Sequence, residues 1–203
     1  MRKLVQGFGI NDVDYLTHIT KNSSIIWRCP IYGYWSRMLE RVFCKIKHSK
    51  NPTYIGTTIC EEWKYLSKFR EWVLNQPNKD WENCELDKDL LFTHNKHYSP
   101  NTCAFIDKSL NKFLLDNKAK RSNNLIGASF HIHQRKFRAS IKVPLEKRVT
   151  KHLGTFDTEL EAHLAWQARK HEYACQLADL QEDPRVANAL RQRYATDKDW
   201  TTV

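Results

Sequence analysis

The segment "YWSRMLERVFCKI" places Trp35, Met38, Leu39, Val42, Phe43 and Ile46 at helical spacing, which predicts an amphipathic helix over 34–46. A second periodic stretch, "EWKYLSKFREWVLN", gathers Trp63, Leu66, Phe69, Trp72 and Val73 on one broad apolar face. Its start reads as a capping box in "TICE" at 58–61, with Thr58 accepting from the first turn and Glu61 reaching back. Pro77 ends it. These aromatics are most simply core. Residues 86–91 and 102–106 read as short apolar strands flanking the polar turn "THNKHYSPN". Asp107 then opens a short helix that packs through Leu110, Phe113 and Leu114.

The stretch "DNKAKRSNN" at 116–124 is polar throughout and marks a boundary. Beyond it the pattern changes. "IGASFHI" and "KFRASIKV" alternate apolar and polar residues at period two, and "KHLGTF" continues as a third strand. The following run has Asp157 or Thr158 as its cap and a stripe of Leu160, Leu164, Ala168, Tyr173 and Leu177, which predicts one long helix. Pro184 opens a last amphipathic helix with Val186, Ala189, Leu190 and Tyr194 on its docking side. The fold class is therefore α+β. Its parts are an N-terminal domain over 1–116, a basic linker at 117–124, and over 125–203 a three-stranded antiparallel sheet packed on one long helix.

The chain has 203 residues and seven tryptophans, enough for a real core. No apolar run reaches the ~18 residues of a membrane span. The opening "MRKLVQGFGINDVDYL" lacks the apolar stretch of a secretory signal. The six cysteines form no C-x-x-C pair, so they read as reduced thiols in a cytoplasmic protein, Cys60 and Cys103 as small buried hydrophobes. Net charge is +10, and it is unevenly placed: residues 117–154 carry ten basic side chains against the single acid Glu146. Segregation of this kind points to a polyanion, and nucleic acid is the natural one.

Strand parity shows where that charge lies. Ser129, His131 and His133 share one parity, and Lys136, Arg138, Ser140 and Lys142 share another, opposite Phe137, Ala139 and Ile141. With the long helix beneath, the outer face is Arg, Lys, His and Ser. Such a face suits duplex DNA, because the cations meet phosphates and an arginine can pair with guanine bidentately. His131 and His133 alone do not make a zinc site, since no third and fourth ligand follows at suitable spacing.

The run "IGAS…KFRASI…KHLGTFDTELEAHLAW" resembles the Apetala-type (ethylene-response-factor-like) DNA-binding domain over roughly 125–180. The matching positions are Gly127, Phe137, Ala139, Ile141, Leu153, Gly154, Thr155, Phe156, Thr158, Glu161 and Ala162. That resemblance implies a sheet laid in the major groove of double-stranded DNA. It carries over Ser129, His131, His133, Ser140, Lys142, Thr150 and His152 as reading positions; with Arg135, Lys136 and Arg138 they form the expected DNA-binding set. Several are Ser or His where the plant domains have Arg or Trp, so the plant target sequence does not transfer.

The N-terminal portion resembles bacteriophage HNH-type, homing-endonuclease-like proteins, through "WSRMLERV", "YIGTTICEEWKYLSKFREW" and "LDKDLLFTHNKHYSPNTCAFIDKSLNKFL". The resemblance implies a ββα-metal fold holding Mg²⁺ or Mn²⁺, with Asp87 as strand carboxylate and Asn111 as helical ligand. Lys88 stands where the family has its histidine base, and Thr102 where it has the orienting asparagine. An exposed lysine is protonated at neutral pH and does not accept a proton. His94 or His97 could serve instead, a metal-bound water could lose its proton to solvent, or Lys88 could contact the scissile phosphate.

The expected function is metal-dependent hydrolysis of duplex DNA in the cytoplasm of an infected bacterium, without a membrane. The alternative is a non-catalytic DNA-binding or regulatory protein using the same surfaces. A third class is an interaction protein directed at a host protein.

Overall fold

The computed structural model describes residues 4–115, 125–146 and 148–195. The linker 117–124 and Lys147 lie outside the described residues. The fold is mixed α+β, with six α-helices and several small sheets among the described residues. The chain divides into two compact units, Met1–Ile106 and Asp107–Val203.

In the first unit, strands β1 (His18–Lys21) and β2 (Ser24–Arg28) form an antiparallel ribbon that the sequence pattern did not announce. Its two-residue turn, Asn22 and Ser23, has φ of 49° and 61°. Positive φ at both positions is the backbone of tight hairpin turns that match strand twist. Pro30 then opens helix α1 (Pro30–Phe43), where proline's missing N–H costs nothing. Trp35, Met38 and Leu39 are fully buried, as predicted. The helix is interrupted at Cys44, whose backbone is extended, and resumes as α2 (Lys45–Lys50). Ile46 is consequently exposed, and Phe43 stacks on Phe8 with ring centroids 4.7 Å apart.

The capping box expected in "TICE" is absent. Thr58–Ile59 is strand β3, residues Glu61–Lys64 form a 3-10 turn, and helix α3 begins only at Leu66 (Leu66–Leu74). An external residue caps α3 instead: the carboxylate of Asp12 accepts from the Ser67 backbone N–H at 2.9 Å and from its hydroxyl at 2.5 Å. Trp63, Leu66, Phe69 and Val73 are buried with the α1 residues in one core. The Trp35 indole N–H donates to the Trp63 carbonyl at 2.7 Å, which ties the two segments together.

Strand β4 (Glu85–Asp87) is shorter than the predicted 86–91, strand β5 (His97–Tyr98) pairs in parallel with β3, and β6 (Ala104–Ile106) pairs antiparallel with β4. β4 stops because the Asp87 carboxylate accepts from the backbone N–H groups of Asp89 and Leu90, at 2.9 and 2.7 Å, and folds the chain into turns.

The second unit begins with helix α4 (Lys108–Leu114), capped as predicted by Asp107, which accepts from the Ser109 N–H at 2.6 Å. The unit boundary falls before this helix, upstream of the polar stretch at 117–124. The physical reason is α4's packing: the Lys170 ammonium donates to the Phe113 carbonyl and lies 3.7 Å from the Phe113 ring centroid, and Phe113 meets Tyr194 edge-on.

Strands β7 (Ala128–His131), β8 (Lys136–Lys142) and β9 (Thr150–Phe156) form the expected antiparallel sheet in order β7-β8-β9. Helix α5 (Glu159–Ala178) packs on all three. Thr158 caps it in a complete capping box with Glu161. Of the predicted stripe Tyr173 and Leu177 are buried, whereas Leu160 and Leu164 are 47% and 49% exposed and Ala168 is exposed; Ala162, His163, Trp166 and Ala174 are buried in their stead. Trp166 presents more apolar area than either leucine, and its side of the helix closes on Gly127 beside β7. Helix α6 (Pro184–Arg193) docks through Val186 and Leu190, followed by Tyr194, all buried.

Candidate nucleic-acid interface

Register settles which side chains share a face of the β7-β8-β9 sheet, because residues directly opposite in an antiparallel pair point the same way. Ser129 lies opposite Arg138 and His131 opposite Lys136. On the other side of β8, Arg138 faces Thr155, Ser140 faces His152 and Lys142 faces Thr150. The inner partners Ala139 and Ile141 are buried, whereas Lys136, Arg138 and Lys142 are exposed. The two faces expected from strand parity are therefore the two faces of the folded sheet. Thr155 joins the outer one unforeseen, kept there by a one-residue irregularity between Ala139 and Ser140.

Two expectations change. β7 ends at His131, so His133 and Arg135 sit in the turn to β8 and not on a strand, with Arg135 at a φ of 51°. The ring of His133 still lies 6.0 Å from that of His131. The face is also not free of acid, for the exposed carboxylate of Asp157 pairs with the Lys136 ammonium at 2.9 Å. Arg138 and Lys142 are its remaining strand-borne cations.

Gly127 holds the sheet to its helix. Its φ is +80°, and a Cβ there would stand 2.0 Å from Trp166. Only glycine adopts this backbone cheaply and lets the indole approach so closely. The buried His163 has no hydrogen-bond partner at Nε2 among the described residues, but its Nδ1 meets the Ile126 carbonyl at 2.8 Å and its ring stacks on Trp166.

In the first unit, the chain from β4 to β6 carries Asp87, Lys88, His94 and His97. Lys88 is buried, 7% exposed, where an exposed side chain was expected. Its ammonium pairs with Asp89 at 2.6 Å and donates to the Asn95 carbonyl at 2.7 Å. Asn95 organises the loop, its amide donating to the carbonyls of Lys88 and His97 at 2.8 and 2.7 Å and its own oxygen accepting from the His97 N–H at 3.0 Å. Thr102 donates to the His97 carbonyl at 2.6 Å. His97 itself is half-buried on β5 with Nδ1 2.8 Å from the Thr58 hydroxyl, and His94 is exposed in the turn at a φ of 60°. Asn95 was not singled out from the sequence, although an Asn within a polar turn is the usual organiser of such loops.

Burial pushes the neighbouring Tyr98 hydroxyl and Cys103 thiol up to about 12, so neither ionises near neutrality. Asp87 is on the first unit and Asn111, half-buried on α4, on the second. One oxygen of Asp87 accepts two backbone N–H groups, and the next residue, Lys88, is a buried cation. Among the described residues, no three His, Cys, Asp or Glu side chains converge.

Compared with protein-family models, curated proteins and solved structures, the chain matches none. No helix among the described residues is long and apolar enough to cross a membrane.

Proposed function

We propose that the protein binds double-stranded DNA through the outer face of the β7-β8-β9 sheet, and that its HNH-like segment is a folded framework and not a cutting centre. One observation carries the reading: the strand register puts Arg138, Lys142, Ser129, Ser140, Thr150 and His152 on one side of a sheet whose other side α5 covers. The arrangement supplies phosphate neutralisation from the cations and short polar contacts around them. Arg138, at the centre of the middle strand, is suited to a guanine edge.

Cleavage is the second reading. It is favoured by the chain order β4, β6, α4, with Asp87 ending β4. It requires a divalent metal to bind at the Asp87 carboxylate.

Binding of a labelled duplex, followed by anisotropy across a salt series, tests the first reading. A face meeting about five to seven phosphates gives a log–log slope of roughly −4 to −6. Replacing Arg138 and Lys142 together by alanine is expected to weaken binding and to flatten that slope by about two. A flat salt dependence in the unaltered protein overturns the proposal. Incubation with supercoiled plasmid and Mg²⁺ or Mn²⁺ tests the second; the expected outcome is intact plasmid. Nicking that disappears in Asp87→Ala would establish the nuclease instead.

A further inference from the structure

The β1–β2 ribbon lies outside that sheet face, yet it is the most exposed regular element of the first unit. Every residue of both strands is exposed. That includes Ile19, Ile25, Ile26 and Trp27, each 44% exposed or more. A two-stranded ribbon with neither face covered is marginal alone, and large apolar side chains left in water on such an element indicate a surface that meets something.

The charge around it says what. From Tyr15 to Leu39 the sequence contains no Asp or Glu, but it contains Lys21, Arg28 and Arg37, with His18 in addition. Register places His18 opposite Arg28 at the base of the ribbon and Lys21 opposite Ser24 at its tip. Cations therefore stand at both ends, and Ile19 opposite Trp27 gives an apolar patch between them. An anionic groove of regular width favours such a ribbon. The major groove of B-DNA admits a two-stranded β-ribbon, with basic side chains reaching the flanking phosphates and apolar ones lying against thymine methyls.

We infer that the β1–β2 ribbon is a second duplex-DNA contact, entering a groove with Lys21 and Arg28 on phosphates and Ile19 and Trp27 against the groove floor. The inference rests on the DNA-binding reading above and adds to it an element that the C-terminal face does not contain.

The full-length protein tests it with the same labelled duplex and salt series. Lys21→Ala combined with Arg28→Ala is expected to flatten the log–log slope by roughly two, at about 0.9 for each phosphate no longer neutralised. Ile26→Lys, a gain of charge at an exposed position, is expected to steepen it by about one. Both changes lie on the surface, and an unchanged thermal midpoint confirms that folding is intact. If both variants keep the unaltered slope while Arg138→Ala with Lys142→Ala weakens binding, the ribbon inference falls and the sheet-face reading stands. If the unaltered protein ignores the duplex, both fall. If Trp27→Ser turns a dimer into a monomer and leaves DNA affinity as it was, the ribbon serves self-association and the inference is overturned.

Discussion

Lys88 is a cation held inside its own loop, 7% exposed. The fold buries its ammonium between Asp89 and the Asn95 carbonyl. Its removal leaves that carbonyl without its donor inside a half-buried loop. Lys88→Ala is expected to lower stability by about 1–3 kcal/mol, read from denaturant midpoints at constant slope. Lys88→His is expected to destabilise too, by the same denaturant measurement, and to confer no nicking of supercoiled plasmid. Gly127 is the opposite case, a residue needed for having no side chain. Gly127→Ala combines a left-handed backbone with a clash into Trp166. The expected cost is about 2–5 kcal/mol, visible as a large fall in the thermal midpoint.

At the scale of elements, the caps divide into those the sequence displays and those it hides. Asp183 caps α6 by accepting from the Arg185 N–H at 2.9 Å, and its carboxylate also pairs with the Arg185 guanidinium at 2.8 Å. Burial alone would raise its pKa, but the bonds from the Arg185 side chain and backbone outweigh that and hold it below the usual value. A carboxyl whose folded value is depressed contributes stability above its unfolded value and loses it as pH falls through the folded one. Asp183→Ala is therefore expected to cost about 1–2 kcal/mol near neutrality. The difference from the unaltered protein should shrink in acid, below the ordinary carboxylate range, as thermal midpoints across a pH series will show.

Much of this layer was legible. The alternation in "KFRASIKV", a cap at Thr158 (one of the two residues offered) and the helix start at Asp107 all appear as read, since each is a local signal that the fold has no reason to override. "TICE" misled because its apparent cap belongs to a strand that pairs with β5, and the real cap, Asp12, is distant in sequence. The ribbon escaped notice because "SIIWR" has no alternation to read: neither of its faces is buried. The stripe on α5 was right at Tyr173 and Leu177 and wrong at Leu160 and Leu164, because leucine spacing alone cannot rank two adjacent faces when the other carries Trp166.

At the scale of the whole molecule, the +10 charge is concentrated in the segments that hold the sheet face and the ribbon, and it is diluted between them: residues 61–116 carry eight basic and ten acidic side chains. Raising salt should therefore weaken DNA binding steeply while leaving the thermal midpoint nearly unchanged, because the core of each unit is apolar. Parallel anisotropy and melting series check this. A common loss of both would place the charges in folding instead of in recognition.

Helix α4 is held by Lys170 and Tyr194, and its own chain enters it directly from β6. Anyone wishing to study the carboxyl-terminal half by itself would naturally sever the polypeptide in the polar stretch around residue 120. That incision would strip away Phe113 and leave the Lys170 ammonium in a socket missing one wall. A fragment starting at Asp107 keeps the socket whole, so a failed preparation that starts at Leu125 would say more about where the scissors fell than about DNA.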